Sequence, residues 1–452
     1  VLRWHHGRVQ DLVADPSEVE RTSSRLGRVA RSTTFITAGS SLFVYGLSLL
    51  TGPILGRSLG PSGRGDLAAV MVPAQLLGFA LLLGLPYSSI YWARKHPHRQ
   101  LVSVSWMTSV VLVAIIGAAS FWWVPPLLAN HSPTTVPWLQ VFVFMCLVYV
   151  PCTTALELFR TRSGLVAFNV FRSMPLVLNA VFLITLFLLG KVTLVTALAS
   201  QLTAQVLSYI GIAFASRGTI IPTRVPRPVI VDQLSYASRV WLGEIASLAI
   251  SRIDQLLLIG MVATADLGHY AVSATAAQAT TPAATAIIFT VFPKIRHAHS
   301  SEEGWAATVR AARIAGVVAF GIASVTAILA PFVIPWLWGA DFRESIAPLL
   351  VLLPGQVFAD VGMVLTTHLQ AIGRPATGSR ALAVSAVVAV VGILVLVPRI
   401  GILGAALSTT VSQLCLFLYV VIAGWRTRRE PVLDSSAEEP MVPHDDPLSG
   451  GA

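Results

Sequence analysis

Arg252, Asp254 and Glu244 are the residues most able to do chemistry, because ionised side chains are costly where these three sit. The stretch SRIDQLLLIG, residues 251–260, belongs to a run from about Val240 that is otherwise apolar enough to lie in lipid. Each charge at the centre of a bilayer costs roughly 2.5–3.5 kcal/mol on an insertion scale, so such a charge marks a functional site or a buried pair. At about 100° per residue, Glu244, Ser247, Ser251, Arg252, Asp254 and Gln255 fall in one half of the helical wheel. The other half is Ile245, Ala246, Ala249, Ile250, Ile253, Leu256 and Leu257. Arg252 and Asp254 are two positions apart and do not face each other on a helix. Each needs a partner elsewhere: a charge on a neighbouring helix, water, or a ligand. The pattern predicts the wall of a hydrated cavity; an ion pair locking helices together is the structural alternative.

Asp360 is a second buried acid. It follows Pro354-Gly355, which the sequence predicts to interrupt a helix, and shares a face with Gln356 at i, i+4. A carboxyl in low dielectric can titrate near neutrality, so Asp254 and Asp360 are candidate carriers of a coupling proton or sodium ion. Thr34, Thr37, Ser41, Tyr45 and Ser48 share one face of the first apolar run, and Gln278, Thr281 and Thr285 one face of the eighth. Such stripes line pores or pack helices. Glu157 can pair with Arg160 at i, i+3. There is no phosphate-binding loop, and the histidines lack metal-ligand spacing; the pairs His96/His98 and His297/His299 read as loop residues. No catalytic residue, metal or organic cofactor is predicted: the chain reads as a transporter, not an enzyme.

The elements that must hold these residues follow from hydropathy. The chain is 55% hydrophobic and 12% charged, with mean hydropathy +0.74. Apolar runs of about 20 residues, the length that spans a bilayer, recur along it. The expected fold is an all-α polytopic membrane protein of about 12 helices, near 33–55, 68–91, 101–124, 138–159, 173–189, 192–216, 240–262, 267–292, 314–334, 346–369, 381–397 and 402–424. Residues 1–32 are charged, so insertion is expected to rest on the spans themselves. With the N-terminus in the cytoplasm, 25 of the 31 Lys and Arg fall on cytoplasmic segments and five (Arg57, Arg64, Lys191, Arg343 and Arg399) on outer loops, leaving Arg252 inside a span. The asymmetry is the positive-inside pattern, with both termini cytoplasmic in the cell (plasma or inner) membrane. It also assigns the net charge of +10 to topology and anionic lipid rather than to nucleic acid. Cys146, Cys152 and Cys415 lie in apolar runs and read as small fillers.

The chain also repeats. Aligning Gly65 on Gly268 aligns Gln75 on Gln278, and ALASQLTAQ (197–205) resembles ALSTTVSQ (406–413) at nearly the same offset. The expected organisation is a basic arm at 1–32, a six-helix bundle at 33–216, a Pro- and Arg-rich cytoplasmic linker at 217–239 and a second six-helix bundle at 240–424. An acidic, Pro-rich tail at 425–452 should be disordered. The arm is either a solvated tail or a helix on the membrane surface. Six helices per copy make a parallel repeat, an arrangement in which substrate sits between the copies.

GPILGRSLGPSGRGDL, ISRIDQLLLIGMVATADLGHYAVSATAAQ, PWLWGADFRESIAPLLVLLPGQ, LQAIGRP and PRIGILGAALSTTVSQ together resemble the polysaccharide-transporter family. That family holds the Wzx-type oligosaccharide flippases, in the larger group with MATE-type multidrug extruders and lipid II flippases. The resemblance runs over nearly all of 33–424. It implies two six-helix bundles forming a V around a central cavity, and a flippase moving polyprenyl-pyrophosphate-linked oligosaccharide from the inner to the outer leaflet by alternating access. Candidate partners are membrane lipids, a polysaccharide polymerase and glycosyltransferases. In that setting Arg252 would bind the pyrophosphate, with Glu244, Gln255, Ser251, Tyr45 and Gln278 around it and Asp254 balancing the empty cavity. A MATE-like cation-coupled exporter of drugs or other small molecules is the alternative, and a non-transporting scaffold for glycan assembly a weaker one.

Overall fold

A computed structural model describes residues 16–162, 164–216, 218–296, 300–372 and 374–427. Among these, twelve α-helices account for nearly all of the chain: α1 (Pro16–Leu81), α2 (Leu85–Trp92), α3 (His98–Leu127), α4 (Thr135–Arg162), α5 (Gly164–Leu188), α6 (Leu194–Ala215), α7 (Arg227–Met261), α8 (Thr264–Ala277), α9 (Thr281–Arg296), α10 (Ser301–Trp338), α11 (Ile346–Ala371) and α12 (Pro375–Thr427). Among the described residues, eight segments are long and apolar enough to cross a membrane. Two of them, 46–92 and 376–427, run to 47 and 52 residues. A straight helix of either length would measure about 70 Å or more, over twice the hydrocarbon thickness. Both are broken by a left-handed glycine: Gly60 (φ 66°) in α1 and Gly401 (φ 59°) in α12.

The expected seventh and eighth spans are helical but are not among the eight. The first carries Glu244, Arg252 and Asp254; the second is divided by a 3-10 turn at Gln278–Thr280. The expected outer loop at 56–67 is also helical except at the Gly60 break, so Arg57 and Arg64 are helix residues rather than loop residues. The expected interruption at Pro354-Gly355 is absent: α11 passes through it, and Gly355 lets α12 close in. A Cβ there would sit 2.8 Å from the Thr410 Cα, and Thr410 Oγ1 donates to the Val351 carbonyl (2.6 Å). The turn expected at Gly190-Lys191 is present, with Gly190 at φ 65° and a Thr193–Thr196 capping box starting α6.

Three apolar clusters hold the molecule together. One joins residues from before and after the linker, among them Leu67, Val70, Leu139, Leu258, Leu267, Leu349 and Ile393. The second draws on α1–α6 and the start of α7, the third on α10–α12. Many large apolar side chains are left outside, such as Trp122 and Phe214, as expected of a surface solvated by lipid chains.

The linker is bound rather than free. Its second part is the first turns of α7, which lie along α2 and α3. Ser88 Oγ donates to the Gln233 carbonyl (2.7 Å), Gln233 Nε2 to Ser89 Oγ (2.8 Å) and Trp92 Nε1 to the Asp232 carbonyl (3.0 Å). Lys95 Nζ and His96 Nε2 reach the Asp232 carboxylate at 3.1 and 3.0 Å. These hydrogen bonds hold the Asp232 carboxyl below the usual carboxylate range, His96 first and Lys95 second.

Candidate functional site

A cavity of about 510 Å³ lies between α1, α5 and α6 on one side and α7, α8 and the turn after α8 on the other. The Gly60 break, with Pro61 starting the next helical stretch, lets residues on both sides of it line this one space: Ser48, Thr51 and Leu55 before, Arg64, Met71 and Gln75 after. Arg64 enters from α1 and Arg252 from α7. The two guanidinium groups feel each other's charge. Arg64 Nε is buried without a hydrogen-bond partner among the described residues. Among the described residues, Arg252 Nη1 reaches Gln255 Oε1 at a long 3.4 Å. Amides from five positions, Gln75, Asn179, Gln201, Gln255 and Gln278, complete a neutral hydrogen-bonding lining with the hydroxyls of Ser48, Thr51 and Thr275. No acid lines the cavity among the described residues.

Two like charges held in a partly dewetted space repel, and are stabilised when an anion arrives. Guanidinium forks match phosphate oxygens, whereas amides and hydroxyls match polyols. The arrangement suits a ligand with an anionic group and many hydroxyls.

Of the residues singled out in the sequence, the structure brings Arg252, Gln255 and Gln278 to this cavity. Gln75 and Gln278, equivalent in the internal repeat, both line it. The side chains of Tyr45, Glu244 and Ser251 lie outside those described; only their helical backbone is. Asp254 does not line the cavity. It is buried, accepting from Tyr270 Oη (2.6 Å) and the Gln255 amide (2.7 Å), and Tyr270 Oη also meets Thr409 Oγ1 at 3.3 Å. This triad ties α7, α8 and α12. Asp360 is a separate buried acid, accepting from Thr280 Oγ1 (2.5 Å) and Gln356 Nε2 (3.2 Å). Gln356 Nε2 also reaches Thr281 Oγ1 at 3.0 Å. Among the described residues, no group of three His, Cys, Asp or Glu side chains could hold a metal ion.

Arg64 is the charged cavity residue that sequence reasoning missed; the amides of Asn179 and Gln201 were not singled out either. It sits in GPSGRGD, whose glycines and proline read as a loop, so its charge was counted to the outside. The matched glutamines ten residues on from Gly65 and Gly268 were the available signal that this stretch faces the same space as α8.

Residues 30–299, more than half of the chain, match the family described as polysaccharide biosynthesis protein. No curated protein matches the sequence. Among solved structures the chain is similar to an inward-facing multidrug resistance MATE family transporter of the MOP superfamily, at 15% identity and TM-score 0.69, covering 85% of this chain and 94% of that one. It is also similar to the lipid II flippase MurJ in an inward closed conformation, at 12% identity and TM-score 0.70, covering 86% and 87%. A MOP superfamily transporter from Pyrococcus furiosus, described as having a binding pocket of reverse polarity, matches at 16% identity and TM-score 0.55, covering 89% and 96%. The likeness to these three is one of fold.

Proposed function

The chain belongs to the polysaccharide biosynthesis protein family, and from that premise we propose that it is a flippase moving a polyprenyl-pyrophosphate-linked oligosaccharide from the inner to the outer leaflet. The observation that carries this reading is the pair of arginines, one from each side of a cavity otherwise lined by amides and hydroxyls. Arg64 and Arg252 would bind the pyrophosphate, the amides the sugars, and the polyprenyl tail would stay in lipid. Support for a V of two six-helix bundles, 33–216 and 240–424, comes from the apolar clusters: one is shared, one joins the first bundle to the linker, and one lies within the second bundle. Twelve crossings follow if α1 and α12 each cross twice, folding at Gly60 and Gly401, and if α7 and the α8–α9 pair each cross once. The basic segments then lie in the cytoplasm with both termini. Asp254 and Asp360 are the candidate acids for a coupling proton or sodium ion, and a polymerase and glycosyltransferases the candidate partners.

A MATE-like exporter is the second reading, and the shared fold favours it. The cavity's fixed charge does not, since a cationic drug would meet two guanidinium groups. Equilibrium binding to the purified protein tests the choice. Polyprenyl-diphosphate oligosaccharide should bind at least tenfold tighter than the same glycan on an uncharged polyprenol, and lipophilic cations should not compete. Equal affinity for the two, or displacement by cations, contradicts the proposal.

A further inference from the structure

At the end of the molecule opposite the basic loops, the parts before and after the linker are pressed together without a gap. Gly65 of α1 lies so close to the Thr264 carbonyl of α8, and Gly268 to the Pro61 carbonyl, that a Cβ at either would overlap backbone. These two glycines are equivalent in the internal repeat, so the contact is reciprocal. Beside it, in the turn between α3 and α4, His131 is buried with no exposed side-chain surface. Its Nδ1 lies 3.1 Å from Asp66 Oδ1 and 3.2 Å from Thr264 Oγ1; its Nε2 lies 3.1 Å from the Ile259 carbonyl. Asp66 Oδ1 also accepts from the Ser132 amide (3.2 Å), and Thr264 Oγ1 donates to the Asn130 carbonyl (2.8 Å).

Every partner of the ring is therefore an acceptor: a carboxylate, a hydroxyl whose proton is used elsewhere, and a carbonyl. A neutral imidazole donates from one nitrogen only; both donate in the imidazolium. We propose that His131 is a proton-binding site that latches this end shut. With the proton, the ring bonds to Asp66 within its own part and to Ile259 across the interface. Without it, the remaining N–H stays on the carboxylate, the stronger acceptor. The Nε2 lone pair then faces the Ile259 carbonyl, and the bond across the interface becomes a repulsion. Asp66 is the charged group facing the ring from α1; α7 presents the Ile259 carbonyl and α8 the Thr264 hydroxyl. Asp266, two residues beyond Thr264, acts on His269 and has no bond to His131 among the described residues. The latch is independent of what the cavity carries, so its failure and that of the substrate reading are separable.

Spin labels at Lys191 and Arg343, both exposed and on opposite parts near this end, report its opening in nanodiscs once the three native cysteines are replaced. As the pH is raised from 5 to 8, the wild-type distance distribution should shift from short to long. In His131→Gln, which donates an N–H but cannot gain charge, the shift should vanish. A wild-type distribution that does not move with pH overturns the proposal whether or not any variant folds. A shift of the same size in folded His131→Gln also overturns it.

Discussion

At the scale of single residues, the proposal gives Arg64 and Arg252 one anion to share, since both line the same cavity. Arg252 stood out in the sequence because it is the lone basic residue in an apolar run; Arg64 did not, because glycine and proline around it disguise a helix as a loop. Hydrogen bonds to charged groups contribute about 1.5–3 kcal/mol each, so Arg64→Ala or Arg252→Ala should weaken lipid-linked oligosaccharide binding by about ten- to a hundredfold. Lysine keeps charge and loses the fork, so Arg252→Lys should fall between wild type and Arg252→Ala in a titration of the purified protein. The Asp254–Tyr270 bond makes a different claim. Tyr270→Phe removes a donor from a buried carboxyl and should cost about 1.5–3 kcal/mol of stability. A lowered melting temperature in detergent, with binding unchanged, separates this supporting role from that of the arginines. The sequence placed Asp254 on the polar face of its helix, but a helical wheel cannot say that the neighbouring face belongs to Tyr270 rather than to the cavity.

At the scale of elements, the close approach of α1 and α8 depends on residues without side chains. Gly65→Ala or Gly268→Ala would force a Cβ into the facing backbone. Each should drive the labelled ends apart at every pH, and a cysteine at Thr134, exposed beside this contact, should then react faster with maleimide. Unchanged distances and reactivity would place the closure elsewhere. The sequence alignment of Gly65 on Gly268 singled out these glycines, and each packs against the segment of the other. The linker was less legible. Its three prolines and four arginines read as a linker between the two parts, yet residues from Arg227 onward are helix, fastened by Gln233 and Asp232 to α2 and α3. Those bonds are long-range, and nothing local in the sequence announces them. Because Asp232 titrates below an ordinary carboxylate, its clasp contributes fully above the unfolded value of about 3.9 and fades as pH falls through the lower folded value. Hydrogen exchange across 227–239, corrected for intrinsic rate, should stay slow from pH 8 to 5 and rise below pH 4. Asp232→Asn should show the faster exchange already at pH 7.

At the scale of the whole molecule, hydropathy read the class without ambiguity: eight apolar segments and a lipid-facing surface match the expectation of a multi-pass membrane protein. Hydropathy divided both long helices where they kink, at 56–67 and 398–401, but it could not say that helix runs up to each kink, nor judge the charged seventh span, since charge and lipid exposure give opposite signals there. The orientation drawn from the arginines predicts that single cysteines at Ser62 and Thr134 label from outside intact cells and that those at Arg224 and Arg380 do not; the reverse pattern would invert the map. The account rests most heavily on a polyhydroxyl anion crossing between two facing arginines. Its most direct test is transport in liposomes holding the purified protein and a fluorescent polyprenyl-diphosphate oligosaccharide, with a membrane-impermeant quencher reporting each leaflet. Wild type should equilibrate the label between leaflets well above the rate of protein-free liposomes, and folded Arg64→Ala and Arg252→Ala should each lose at least tenfold of that excess. Wild-type rates in both folded variants, or no excess over protein-free liposomes, would contradict it.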